Sequence, residues 1–194
     1  MNIIKNNIAN SLTIARILLL PLMVLFFYLE ESQGSVVIWL CFFTFALSAI
    51  TDFFDGYFAR KLNQVSALGT FLDPISDKIF VSTMLILLVA FGRITGTWVL
   101  LVMIIFAREF MVSGIREYLG PKNIQVPVSV LAKWKTTVQM LSIGFLILSD
   151  YSPYAYEIGI ILLCTATILT LITGMSYLLI GLKHMKDEPE KDEQ

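Results

Sequence analysis

Residues 52–77 read DFFDGYFARKLNQVSALGTFLDPISD: four aspartates, two glycines and an arginine at fixed intervals in a chain that is otherwise mostly hydrocarbon. An acidic side chain at membrane depth costs roughly 2.5–3.5 kcal/mol on insertion scales, even when it can snorkel toward water. Four of them in so short a stretch therefore point to use rather than accident. The spacing is D-x-x-D-G-x-x-A-R-x8-G-x-x-x-D-x-x-x-D, carried by Asp52, Asp55, Gly56, Ala59, Arg60, Gly69, Asp73 and Asp77.

Outward from this stretch the composition sets the class. Of 194 residues, 57% are hydrophobic and only 15% are charged, and the mean hydropathy is +0.78. A soluble domain carries about 25% charged residues, so the chain reads as a membrane protein of all-α class. The net charge of −1 gives no reason to expect nucleic acid as a partner. Cys41 and Cys164 both sit in apolar runs and suggest neither a disulfide framework nor a metal pattern. The single histidine, His184, stands beside a charged tail, which excludes a histidine-based metal site or triad. No cleavable signal peptide is evident, because the first apolar run is long and lacks a small-residue cleavage site.

Uncharged runs cover 17–29, 32–51, 79–92, 94–107, 136–149 and 158–182. The second and last are long enough to span a bilayer alone; the others reach that length when their charged flanks are added. Those flanks fall at the start of the first run, the end of the second, the start of the third, the end of the fourth and the start of the fifth. In alternating antiparallel helices all of these ends share one side. Six transmembrane helices are thus expected, with a polar active-site cavity at one face. Thirteen of the 14 basic residues lie on that side, and only Arg93 lies opposite, in company with Glu30, Glu31, Asp150 and Glu157. The positive-inside rule then makes the polar face and both termini cytoplasmic. Turns at 30–35, 92–97 and 149–155 carry Gly or Pro, as helix hairpins require. Residues 1–10 suit an interfacial N-terminal segment, 11–183 the six-helix domain and 184–194 a solvated charged tail.

Asp52 and Asp55 are three apart at the end of the second helix, and Asp73 and Asp77 four apart on the third, so each pair shares a face. Two such faces opposed across a helix pair form an oxygen-only, fourfold anionic cage. Left unneutralised, it would raise its own pKa values or push the helices apart. Hard divalent cations, Mg²⁺ or Mn²⁺, are the natural counterpart, and two of them can clamp a diphosphate during phosphoryl displacement. One carboxylate can also act as general base toward a hydroxyl. Gly56 lets a nucleotide approach the helix backbone, Ala59 keeps the groove open, and Arg60 presents a fork suited to diphosphate oxygens. Gly69 shapes the turn or permits close helix approach. Pro74 suits a helix's first turn, with Asp73 as its N-cap; if the helix starts earlier, Pro74 would kink it instead.

The pattern resembles the signature of the CDP-alcohol phosphatidyltransferases, a family of integral membrane enzymes. That resemblance implies that Asp52, Asp55 and Asp73 are metal ligands and that Asp77 is both ligand and catalytic base. It further implies a site for CDP-diacylglycerol near NSLTIAR (10–16), with Ala9 where many relatives have proline. Asn10, Thr13, Gly56, Ala59, Arg60, Ser66 and Gly69 are the candidate CDP-diacylglycerol contacts. A homodimer in the bacterial inner membrane, multi-pass with its site facing the cytoplasm, is implied as well.

The stretches AREFMVSGIREYLG and AKWKTTVQM are similar to bacterial family members whose acceptor is sn-glycerol 3-phosphate. Arg108, Arg116, Lys133 and Lys135 are expected at the depth of the aspartates, where a dianionic phosphate calls for added cations. Headgroup snorkelling is the competing use for each of them. Arg108 and Arg116, eight apart on one helical face, favour the pocket, while Glu109 and Glu117 have no derived role. The expected reaction gives phosphatidylglycerophosphate and CMP. Family members that make cardiolipin or phosphatidylinositol phosphate are the near alternative, and a cation-coupled transporter, for which no repeat is visible, the remote one.

Overall fold

The computed structural model describes the backbone of residues 2–61, 67–120 and 130–186, and the side chains of 15–30, 32–51, 75–120 and 130–184. Among these residues there are six long α-helices and no strand: α1 (Asn2–Gln33), α2 (Ser35–Lys61), α3 (Ala67–Ala90), α4 (Val99–Leu119), α5 (Val130–Ile147) and α6 (Pro153–Lys186). Short 3-10 turns at Gly96–Trp98 and Ser149–Tyr151 lead into α4 and α6. Residues 2–10 continue α1 without a break.

The hairpins fall where glycine allows them. Gly34, with φ of 69°, ends α1 and donates to the Glu30 carbonyl at 2.8 Å. Gly92, with φ of 73°, ends α3 in a Schellman motif, Gly92 N–H bonding the Val89 carbonyl and Arg93 N–H the Leu88 carbonyl. Only a residue without Cβ enters that left-handed region without strain. Of the two readings of Pro74 the earlier helix start holds: α3 begins at Ala67, so Asp73 is not its N-cap, Pro74 lies in the helix interior, and Gly69 falls in the first turn. Proline is tolerated inside membrane helices, and α1 likewise carries Pro21 in its interior.

The helices alternate in direction. Arg16 of α1 meets Asp77 of α3, and Glu30 of α1 meets Arg93 just past α3; the near-constant offset makes α1 and α3 parallel. Gly174 and Gly181 of α6 face Arg108 and Ile115 of α4 with the same offset, so α4 and α6 are parallel too. Sidedness follows, with one polar end at Arg16 and Asp77 and another at Glu30 and Arg93. Fourteen residues of α1 separate Arg16 from Glu30, about 21 Å at 1.5 Å per residue.

Between these ends the core is hydrocarbon, with Met23, Phe27, Ile38, Cys41, Phe80, Met84, Leu88, Ile143 and Leu163 almost fully buried. Phe45 and Phe80 stack at 5.5 Å between ring centroids. The closest packing uses small residues, as in membrane bundles. A Cβ on Gly159 of α6 would lie 2.7 Å from the Leu146 side chain of α5, and buried Ser142 donates to the Gly159 carbonyl at 2.8 Å.

The outer surface is as apolar as the core. Leu18, Phe43, Leu47, Ile86, Met103, Phe110, Ile161 and Ile168 are all more than half exposed, far beyond what a soluble monomer tolerates. Hydroxyls on these faces bond back into their own helices, Thr44 to the Leu40 carbonyl at 2.7 Å and Thr165 to the Ile161 carbonyl at 2.9 Å. Such bonding leaves no polar group for lipid to solvate. Gly96–Leu119 and Pro153–His184 are long and apolar enough to cross a bilayer.

At the end opposite Asp77 sits a buried charge cluster. Arg93 is 2% exposed and donates to Glu30, to the Ile147 carbonyl and to Asp150, the last at 3.2 Å. Its guanidinium lies 4.9 Å from the Phe27 ring centroid. One side chain thus ties α1, the α3 turn and the α5–α6 connection together.

Candidate active site

A cavity of about 560 Å³ opens between α3, α4, α5 and α6. Three of these helices contribute several polar residues each, and α6 a single tyrosine. From α3 come Asp77, Lys78 and Ser82; from α4, Arg108, Glu109, Ser113, Arg116 and Glu117; from α5, Lys135, Thr136 and Gln139; and from α6, Tyr177. The i, i+4, i+8 repeat of α4 puts Arg108, Val112 and Arg116 on this wall.

Asp77 holds the position of greatest chemical interest. Its side chain is half exposed, and its Oδ1 accepts from Arg16 Nη1 at 2.5 Å, the guanidinium being 6% exposed. The carboxylate that the family resemblance marks as base is therefore ion-paired with a buried cation of α1. In the sequence Arg16 stands only as the polar end of the first apolar run and of NSLTIAR; its partner is not legible there, because a pairing across 61 positions leaves no local pattern. The signal that could have found it was an arginine inside an otherwise apolar helix.

The cations divide by how they are held. Arg108 is 8% exposed; it donates from Nη2 to Thr173 Oγ1 at 2.9 Å and from Nη1 to Glu109 Oε1 at 3.1 Å. Its Nε is buried with no partner among the described residues. Lys135, 6% exposed, donates to the same Glu109 oxygen. Arg116 is more open and donates to the Tyr177 hydroxyl at 2.8 Å, with its guanidinium 5.1 Å from that ring's centroid. A burial this deep is tolerable for cations only when each has an anion or aligned dipoles beside it. Gly174 makes room for the network, since a Cβ there would lie 2.7 Å from Arg108 Cγ.

The structure thus brings Asp77, Arg108, Arg116 and Lys135 to one cavity, whereas Lys133 is exposed and does not line it. Asp52 and Asp55 belong to the last three turns of α2, and Asp73 lies one turn before Asp77 on α3. Their side chains, with those of Asn10, Thr13, Gly56, Ala59, Arg60 and Gly69, lie outside the described residues, as does all of Ser66. Among the described residues no three His, Cys, Asp or Glu side chains come together as metal ligands. The ligands expected are carboxylates alone, a donor set that suits hard cations; the one described, Asp77, is paired with Arg16 in this structure.

A sequence model of CDP-alcohol phosphatidyltransferases matches residues 6–173. The chain belongs to the CDP-alcohol phosphatidyltransferase family. Among curated members of the family, it is 44% identical over 177 residues to the CDP-diacylglycerol–glycerol-3-phosphate 3-phosphatidyltransferase of Rickettsia prowazekii, covering 90% of this chain and 94% of the relative. The Haemophilus influenzae enzyme of the same name is 38% identical over 180 residues, 91% and 94% of the two chains. That of Cereibacter sphaeroides is 34% identical over 220 residues, 94% and 98%. The family match takes in the aspartate motif, Arg16, Glu109 and both cation-bearing helices, and ends at Thr173. Gly174 and Tyr177, which shape and hold the arginines, lie just beyond it.

Proposed function

We propose that this protein transfers the phosphatidyl group of CDP-diacylglycerol to sn-glycerol 3-phosphate, releasing CMP and phosphatidylglycerophosphate. The observation that carries the reading is the meeting of Asp77 with Arg108, Arg116 and Lys135 around one cavity: a base beside a cluster of phosphate-seeking cations. Relatives named for this reaction, aligned over nine-tenths of the chain, support it. Two of the three cations on this wall share one described carboxylate, Glu109, and the Nε of Arg108, with no partner among the described residues, is the kind of buried donor that an entering anion satisfies.

In this reading the acceptor's phosphate sits among Arg108, Arg116 and Lys135, and its C1 hydroxyl faces Asp77. Glycerol 3-phosphate spans only a few bonds, so fixing the phosphate also fixes the nucleophile. Asp77, released from Arg16, takes the hydroxyl proton as the oxygen attacks the lipid-side phosphorus. The new oxygen–phosphorus bond forms in line with the bond to CMP, which breaks. Two Mg²⁺ or Mn²⁺ ions held by Asp52, Asp55, Asp73 and Asp77 would neutralise the diphosphate. Asn10, Thr13, Gly56, Ala59, Arg60, Ser66 and Gly69 complete the CDP-diacylglycerol side.

Six spans, a cytoplasmic active face and a bacterial inner-membrane location belong to the same reading, supported by the alternating helices and by the basic residues gathered at the Asp77 end. A homodimer rests on resemblance to the family. The test is kinetic. Arg116→Ala and Lys135→Ala each remove one charge-assisted contact, so the Michaelis constant for glycerol 3-phosphate should rise about 10- to 150-fold. The constant for CDP-diacylglycerol should move much less. If only the lipid constant rises, these residues grip headgroups and the acceptor assignment fails.

A further inference from the structure

Glu109 is the carboxylate through which two of the cavity's cations meet: one oxygen, Oε1, accepts from both Arg108 and Lys135. The three side chains are 20%, 9% and 8% exposed respectively. Arg108 is independently held by Thr173, so Glu109 is not needed to keep the guanidinium in place. It does supply the negative charge that lets a lysine and an arginine share a low-dielectric wall.

We infer that Glu109 is a resident counter-anion and positioning residue of the acceptor site, which holds Lys135 while the site is empty and yields it to the incoming phosphate. The inference rests on the acceptor assignment proposed above. Without Glu109, Lys135 would lose the carboxylate that holds it and Arg108 would keep only its hydrogen bond to Thr173, so a phosphate dianion would bind more tightly and leave more slowly. The reaction's product carries the same phosphomonoester as its acceptor, so the site must release a group as charged as the one it captures. A carboxylate ready to retake Lys135 lowers the cost of that release and sets how firmly phosphate is held. Glu109 therefore trades affinity for turnover.

The test uses inorganic phosphate as a probe, measured as an inhibitor competitive with glycerol 3-phosphate in CMP release by the full-length purified enzyme. Glu109→Gln keeps the side chain's shape and its oxygen acceptor but removes the charge. Removing a unit charge a few ångströms from the anion should lower the phosphate inhibition constant about tenfold, with maximal rate falling as release slows. Glu109→Asp keeps the charge but withdraws it by one methylene, and should lie between the wild type and the Gln variant. A merely structural ion pair predicts the opposite order, since loosening Lys135 would weaken phosphate binding in both variants. An unchanged or raised inhibition constant in both overturns the inference while leaving the acceptor site intact. If phosphate fails to compete with glycerol 3-phosphate in the wild type, the acceptor assignment itself falls, and this inference with it.

Discussion

Asp77 stands at the α3 side of the cavity with the buried guanidinium of Arg16 against it. Its spacing from Asp73 and the rest of the motif marks it as functional, because four carboxylates at helical intervals in hydrocarbon have few other uses. Its pairing with Arg16 was illegible, since no local pattern links residues on two different helices. The same holds for the Arg116–Tyr177 and Arg108–Thr173 bonds: the cations were readable, their holders on α6 were not. Asp77→Asn retains shape and some hydrogen bonding but cannot accept the proton. Steady-state kinetics should show the maximal rate falling by at least about 100-fold, the low end for a lost general base, with a much smaller change in CDP-diacylglycerol binding. A proportional loss of binding would make Asp77 a ligand first and place the base elsewhere.

At the scale of the elements, helix number and alternation followed from apolar runs and from which end of each carried charge. Helix starts did not: the Asp73–Pro74 pair looks like a beginning, yet α3 starts at Ala67. Helix contacts were also hidden. Gly174 reads as any membrane-helix glycine, but its missing Cβ is what lets the Arg108 stem pass. Alanine there would gain about 1 kcal/mol of helix propensity while placing a methyl 2.7 Å from Arg108 Cγ, an atom too near its own backbone to swing aside. Gly174→Ala should therefore raise the acceptor's Michaelis constant about tenfold, the equivalent of ~1.4 kcal/mol of overpacking strain, and spare that of the lipid; equal values for the variant and the wild type would show that Arg108 does not depend on this contact. The motif aspartates on the ends of α2 and α3 carry a matching expectation. Asp55→Asn or Asp73→Asn should abolish turnover in a folded protein, and stripping divalent cations should do so reversibly, while full activity in excess EDTA would remove the metal cage from the account.

The whole molecule is a bundle with two polar ends of different purpose. One end is a cavity with an exposed carboxylate and half-satisfied cations. The other is closed around Arg93, whose guanidinium finds partners on three segments. The sequence showed Arg93 as the lone cation on its side among acids, which foretold its neighbours but not its burial. Arg93→Ala would leave Glu30 as an unpaired, largely buried carboxylate, destabilising the fold by about 3–5 kcal/mol. Thermal unfolding in detergent should register a marked loss, with the Michaelis constants of the protein that remains folded little changed, because the cluster lies about 21 Å along α1 from Arg16. Undiminished thermal stability would mean that the cluster does not brace the bundle. The chemistry belongs to the other end, and CMP release reports on it. Purified protein given CDP-diacylglycerol and Mg²⁺ or Mn²⁺ should release CMP only when sn-glycerol 3-phosphate is added, with phosphatidylglycerophosphate formed in equal amount; release that proceeds equally without it, or only with a different acceptor alcohol, would contradict the account.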